Sequence, residues 1–213
     1  MAQLPAWECF QNCQIPKDDP IRLYYRPLLG RLYHRRIDAA MNLIGRGRRV
    51  LDLGYGSGTS FLELHTRFRE IHGADLHSYG PSIRQVYQGQ GVTSHLVRGS
   101  ILELPYRANS FDAVLAISVL EHLEPSDLPA VMKDTRRVLC PEGTLVVGMP
   151  GLNSMMTLGF RLLGCDITKH HFSHPRQALE AAFSAFTIDK LMRQPFRSSD
   201  SLTAYVWFRG KKR

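Results

Sequence analysis

Apolar positions along the chain change period in a way that orders it into elements. Between Ile21 and Ile44 they fall at Leu23, Tyr24, Leu28, Leu29, Leu32, Tyr33, Ile37, Ala40, Met41 and Ile44. That is helical spacing, interrupted at Pro27, with arginines largely between the apolar positions. Val50-Leu51-Asp52-Leu53 is a short apolar run with an embedded acid, the mark of a strand buried on both faces. Phe61, Leu62, Leu64 and Phe68 then recur at helical spacing. Further strands are expected at Glu70–Leu76, Val92–Val97, Phe111–Ile117 and Leu145–Met149, and helices at Ser82–Gln88, after Pro125, and at Arg176–Phe183. Phe186–Met192 and Leu202–Phe208 are expected to form an antiparallel pair. Residues 1–20, with little periodicity, are expected to be a loose arm.

The chain turns on the break after the first strand, where Gly54, Gly56 and Gly58 stand at alternate positions. Glycine there permits positive φ and lets another molecule approach the backbone. A strand, a glycine loop and a helix build a nucleotide-sized crevice at the carboxyl edge of a sheet, and the helix N-terminus suits an anion. A dinucleotide fingerprint asks for G-x-G-x-x-G; here the order is G-x-G-x-G and Thr59 takes the sixth place. Asp75 lies 21 residues beyond Gly54, near the distance at which an acid reaches the ribose of a bound nucleotide.

Val50 to Gly58 resembles motif I of the class I S-adenosylmethionine-dependent methyltransferases, VLDxGxGxG, with Tyr55 at the freely varying position. The resemblance extends to Asp75, to Leu104-Pro105-Tyr106, to Asn109-Ser110-Phe111-Asp112-Ala113-Val114, to Val119-Leu120-Glu121-His122-Leu123 and to Arg137-Val138-Leu139-Cys140-Pro141-Glu142-Gly143. It covers residues 48 to 208 and is similar to the small-molecule branch of that family. It implies a Rossmann-like α/β fold with a seven-stranded, mostly parallel sheet in the order 3-2-1-4-5-7-6, strand 7 antiparallel. Residues 48–213 would form the cofactor-binding domain and residues 1–47 an arm with a helical lid or packing segment, within one structural domain. The cofactor would be S-adenosyl-L-methionine, leaving as S-adenosylhomocysteine. The implied site draws on Asp52, Gly54, Tyr55, Gly56, Gly58, Asp75, Leu76, Ser100, Ile101 and Ile117, with Asp75 accepting from both ribose hydroxyls. Ser100 stands where the family carries an aspartate that accepts from the adenine amine, so this bond would lack charge assistance.

Charge and composition narrow the rest. The chain has 213 residues, 44% hydrophobic content and a net charge of +8. Arg22, Arg26, Arg31, Arg35, Arg36, Arg46, Arg48 and Arg49 crowd the region before the glycine loop, while Lys211, Lys212 and Arg213 read as a frayed tail. A solvated face, a basic lid and contact with an anionic membrane surface are the competing readings of the arginines. No apolar run approaches the ~20 residues of a membrane span, and Met1–Phe10 lacks a signal-peptide layout, so the expected location is cytoplasmic. Cys9 and Cys13 form a C-x3-C pair without matching zinc ligands; no metal is expected there.

On the acceptor side, methyl transfer asks chiefly for positioning, with a base only where the acceptor must lose a proton. His122, just beyond the fourth strand, is the candidate base; His170, His171 and His174 are further histidines near that side. The Met-rich segment Leu152–Leu163 would overlook the transfer site as an apolar wall or serve as a buried helix. The expected partner is a small-molecule acceptor with an apolar or lipid-like body. An RNA methyltransferase using the basic N-terminal region, and a non-catalytic cofactor-binding module, are the alternatives; nucleic acid is not favoured. The pattern leaves the oligomeric state open.

Overall fold

Strands buried on both faces form the centre of the sheet. Val50–Leu53, Ala113–Ala116 and Leu145–Pro150 are continuous buried runs, as the centre of a parallel sheet requires. The computed structural model describes residues 2–16, 19–151, 172–194 and 203–212. Its sheet comprises β1 (Gly47–Leu53), β2 (Phe68–Asp75), β3 (Ser94–Arg98), β4 (Phe111–Ile117), β5 (Leu139–Pro150), β6 (Phe186–Gln194) and β7 (Tyr205–Lys212). The order is β3-β2-β1-β4-β5-β7-β6. β1 to β5 pair in parallel, and β7 runs antiparallel to both β5 and β6. This is the sheet that the family resemblance implies.

Among the described residues six helices cover it: α1 (Ile21–Tyr24), α2 (Pro27–Ile44), α3 (Phe61–His65), α4 (Gly80–Gln88), α5 (Leu128–Val138) and α6 (Pro175–Phe183). Alternation along the strands divides the core in two. Val50, Ala113, Leu115 and Val146 pack with Ile37, Met41, Ile83 and Tyr87 from α2 and α4. Leu51, Leu53, Val114 and Val147 pack with Val131, Met132, Ala178 and Ala182 from α5 and α6. Period-2 alternation in a sheet covered on both faces produces this sorting.

Four expectations are corrected. The N-terminal arm is packed: Ala2 and Phe10 are buried in the α2/α4 core, and the Tyr25 hydroxyl donates to Pro5 O at 2.6 Å. α3 stops at His65 and does not reach Phe68, because Phe68 opens β2 opposite Gly47. The parallel register with β1 overrides the helical spacing. Lys211 and Lys212 are not frayed; they lie in β7, where Lys211 Nζ donates to Thr144 Oγ1 at 2.6 Å and Lys212 Nζ to Asn109 Oδ1 at 2.7 Å. The fifth strand begins at Leu139, earlier than its apolar core at Leu145, with an irregular register against Phe111 and Ala113.

α1 and α2 meet as expected around Pro27, at the first position of α2, where a missing N–H is tolerated. Gly30 makes the corner: a Cβ there would lie 2.3 Å from Tyr24 O. Helix propensity favours Gly30→Ala by about 1 kcal/mol, whereas overpacking against backbone costs roughly 1–3 kcal/mol. The close contact is to a carbonyl that cannot swing aside, so overpacking wins. Gly30→Ala is expected to lower the melting temperature by several degrees in a calorimetric scan; an unchanged or raised value would show that the corner relaxes freely.

Candidate active site

β1 ends at Leu53 and the chain enters the glycine loop with φ of +65° at Gly54 and +48° at Gly56. Side chains rarely adopt such φ values. At Gly54 space is also closed, since a Cβ would lie 2.4 Å from Val119 Cγ2. Gly56 differs: within 4 Å a Cβ there would meet only Asp19 Oδ2, at 3.6 Å. Gly58 is a packing residue, pressed against Tyr87 and Phe61.

The loop is latched to the end of β2. Gly56 N–H donates to Asp75 Oδ2 at 2.9 Å, and His77 Nε2 bonds Gly56 O at 3.1 Å. His77 N donates to Asp75 Oδ1 at 3.3 Å. The His77 ring stacks on Tyr79 with centroids 3.6 Å apart and meets the Tyr55 ring edge-on. Asp75 therefore sits at the crevice edge with its oxygens directed along the loop.

Beside the loop opens a cleft of about 630 Å³, counting its mouth. Its floor is Asp52, Gly54, Gly56, Ile117 and Ser118, from the carboxyl ends of β1 and β4. Its roof is Asp19, Tyr24 and Arg36, all N-terminal to the sheet. Asp19 Oδ1 accepts from Ser57 Oγ at 2.6 Å and from Ile21 N at 2.8 Å, and Oδ2 accepts from Tyr79 Oη at 3.2 Å. Arg36 leans over the Tyr33 ring, with Cζ 3.7 Å from the centroid, and donates from Nη1 to Ser118 Oγ at 3.3 Å. Tyr205 holds Ser118 from the other side at 2.8 Å, and Trp207 Nε1 donates to Arg36 O at 3.2 Å. β7 thus fixes the segment that carries the arginine.

Of the residues that the sequence nominated, Asp52, Gly54, Tyr55, Gly56 and Ile117 border this cleft. The Tyr55 ring is buried and packs against Phe61 and His77. Leu76, Ser100 and Ile101 follow β2 and β3, whose ends pair at Asp75 and Arg98. Leu76 is 69% exposed and Ile101 is buried. Ser100 Oγ accepts from Leu102 N at 3.1 Å, while a Cβ on Gly99 would meet nothing within 4 Å. His122 lies in the turn Leu120–His122 after β4, exposed and outside the lining of the described cleft. His174 is an N-cap: its Nδ1 accepts from Arg176 N at 3.2 Å, opening α6. His170, His171, Cys165 and the segment Leu152–Leu163 lie outside the described residues, where Cys9, Cys13 and Cys140 are free thiols.

Asp19, Arg36 and Ser118 escaped the sequence reading. Arg36 carried one signal, since it falls between Tyr33 and Ile37 on the inward stripe of α2. The chemistry of this set fits a sulfonium amino-acid nucleoside: a guanidinium suits a carboxylate, a strand-end acid suits a ribose diol, and Gly56 and Gly99 leave space for a ligand.

Two carboxyls are electrostatically unusual. Burial raises Asp52 from 3.8 to about 7, with the Ser60 hydroxyl bond opposing and Asp75 assisting. Burial also pushes Glu121 up to about 8, partly offset by hydrogen bonding and by Arg36; its Oε2 has no hydrogen-bond partner among the described residues. A raised native pKa means that the folded state holds a proton the unfolded chain has released. The stabilisation is full below the unfolded value of 3.8 and is lost as pH rises through about 7. Asp52→Asn keeps an acceptor for Ser60 without the charge. It is expected to be more stable than wild type at pH 8 by on the order of a few kcal/mol, and nearly equal at pH 4, in denaturant titrations. Parallel curves for the two proteins across that range would rule out Asp52 as a source of the dependence.

A family described as a methyltransferase domain matches residues 51–147. The chain is 28% identical over 152 residues to a malonyl-[acyl-carrier protein] O-methyltransferase of Halorhodospira halophila, covering 68% of this chain and 50% of that one. It is 36% identical over 102 residues to a sterol 24-C-methyltransferase of Gibberella zeae, covering 46% of this chain and 26% of that one. The chain therefore spans half, or about a quarter, of the length of these relatives. In fold it is similar to the N-methyltransferase NodS of Bradyrhizobium japonicum in complex with S-adenosyl-L-homocysteine (TM-score 0.68, 17% identity, 92% of each chain). The [4+2]-cyclase SpnF is also similar (TM-score 0.67, 18% identity, 84% of this chain and 80% of that one). Matched domain, sheet order and glycine-loop geometry agree: residues 51–147 are similar to a methyltransferase domain, and they stand in a chain with the fold of NodS.

Proposed function

We propose that the protein transfers a methyl group from S-adenosylmethionine to a small-molecule acceptor with an apolar body. The observation that carries this reading is the latch of Gly56 to Asp75 beside a cleft roofed by Arg36. When bound, S-adenosylmethionine supplies the activated methyl group. Asp75 would hold the ribose hydroxyls, and Arg36 the methionine carboxylate. Leu76 and Ile101 would flank the adenine, with Ser100 near its amine. Asp52, tied to Ser60, would keep the loop in shape.

On the acceptor side the chain's task is positioning and exclusion of water. His122 remains the candidate for taking a proton from an acceptor that must lose one; its support is its place after β4, the strand that ends in the cleft at Ile117. The apolar acceptor is supported by the sterol relative, whose named substrate is a hydrocarbon framework. Similarity to a cyclase of the same fold makes direct measurement of transfer the deciding step.

Calorimetric titration with S-adenosylhomocysteine tests the cofactor site. Asp75→Ala loses charge-assisted bonds of about 1.5–3 kcal/mol each and is expected to weaken binding about tenfold or more in a folded protein. Unchanged affinity would remove Asp75 from the ribose. Ser100→Asp supplies an ionised acceptor and is expected to hold or strengthen binding; a marked loss with the fold intact would show that Ser100 does not meet the adenine amine.

A further inference from the structure

We propose that the outer face of α1 and α2 docks on the surface of an anionic lipid bilayer. Leu28 is 81% exposed and Leu32, one turn on, is 46% exposed. Arg31 and Arg35 are exposed on the same side. At roughly 100° per residue, positions 28, 31, 32 and 35 fall within an arc of about 100°. The face extends to Arg22 of α1 and to Tyr25 and Arg26 between the two helices; both arginines are exposed and Tyr25 is 36% exposed. From Pro20 to Ile37 the chain carries five arginines and no acidic residue.

Folding does not account for this arrangement. α2 is held to the sheet by its other side, where Gly30, Tyr33, His34, Ile37, Ala40 and Met41 are buried. Leu28 and Leu32 therefore present large apolar side chains to water for no gain in packing. Exposed leucines set among arginines, on a helix that lies flat on a domain, match an interfacial surface: the guanidinium groups meet lipid phosphates while the leucines enter the headgroup boundary. An RNA backbone would use the arginines and leave both leucines idle. The contact is peripheral, since no helix among the described residues is long and apolar enough to cross a membrane.

The face adjoins the cleft. Arg36 and Ile37, on the inner side of the same helix, line it, as does Tyr24 of α1. A bilayer beneath Leu28 and Leu32 would lie close to the roof of the site, where an apolar acceptor leaves the leaflet. This delivery role rests on the methyltransferase reading; the membrane contact does not.

Co-sedimentation of the full chain with vesicles tests the contact. Wild-type protein is expected to pellet with phosphatidylcholine–phosphatidylglycerol vesicles at low salt, less at high salt, and not with phosphatidylcholine alone. Arg31→Glu with Arg35→Glu is expected to reduce partitioning by about tenfold or more. Leu28→Ser with Leu32→Ser is expected to reduce it about threefold or more. Lys133→Glu with Arg136→Glu, on α5 across the sheet, is the control and should leave partitioning nearly unchanged. Thermal melts and S-adenosylhomocysteine titrations of each variant should match wild type, which separates loss of the surface from loss of the fold or of the cofactor site. Three results would overturn the proposal: no binding of wild type to anionic vesicles at low salt, equal loss in the α5 control, or dependence on the arginines without the leucines. The last, together with displacement by an RNA oligonucleotide, would assign the face to a nucleic acid.

Discussion

The site depends on the hydrogen bond from Gly56 N–H to the Asp75 carboxylate at 2.9 Å. It joins the loop leaving β1 to the end of β2 across neighbouring parallel strands. Only a glycine holds φ at +48° there without strain, and only a strand-end acid reaches the amide from β2. His77 then packs against both the buried Tyr55 ring and Tyr79, and so braces the loop. A ligand arriving at this edge meets a shape already formed, so little ordering entropy remains to be lost on binding.

A second constraint is the burial of charge around that edge. Asp19, Asp52 and Asp75 surround the glycine loop, and Arg36 stands among tyrosines. Asp52 is 4% exposed and holds its proton far above the ordinary carboxylate range, with the Ser60 hydroxyl as partner. Polar groups held this way are costly to the apo protein and are repaired by complementary charge. The cleft combines a cation and several carboxylates in a small volume, the inverse of a ligand that carries a carboxylate, an amine and a sulfonium.

Much of this was legible in the residues. The run Val50 to Gly58 announces β1 and its loop, and Asp75 announces itself by its distance from Gly54. The order of the sheet followed from the family resemblance, because apolar periodicity carries no information on strand neighbours. What escaped was long-range. Arg36 differs in the sequence from Arg31 and Arg35 only by its place beside the inward stripe of α2, and the contact of Trp207 on β7 with its backbone carbonyl is visible only in the fold. Asp19 sits in a stretch without periodicity, yet its carboxylate bridges Ser57 and Tyr79. Phe68 fits a helix locally and a strand globally, and register with Gly47 decides.

The roof of the cleft has a consequence for how similarity to this chain should be weighed. The region shared with the methyltransferase-domain family, residues 51–147, contains the floor: Asp52, the glycine loop, Ile117 and Ser118. Asp19, Tyr24 and Arg36 precede it, and Tyr205, which bonds Ser118, follows it. A protein alike only over that middle stretch shares half an enclosure. It has the same floor under a different ceiling. Two such proteins can agree closely in the matched region and still admit unrelated molecules.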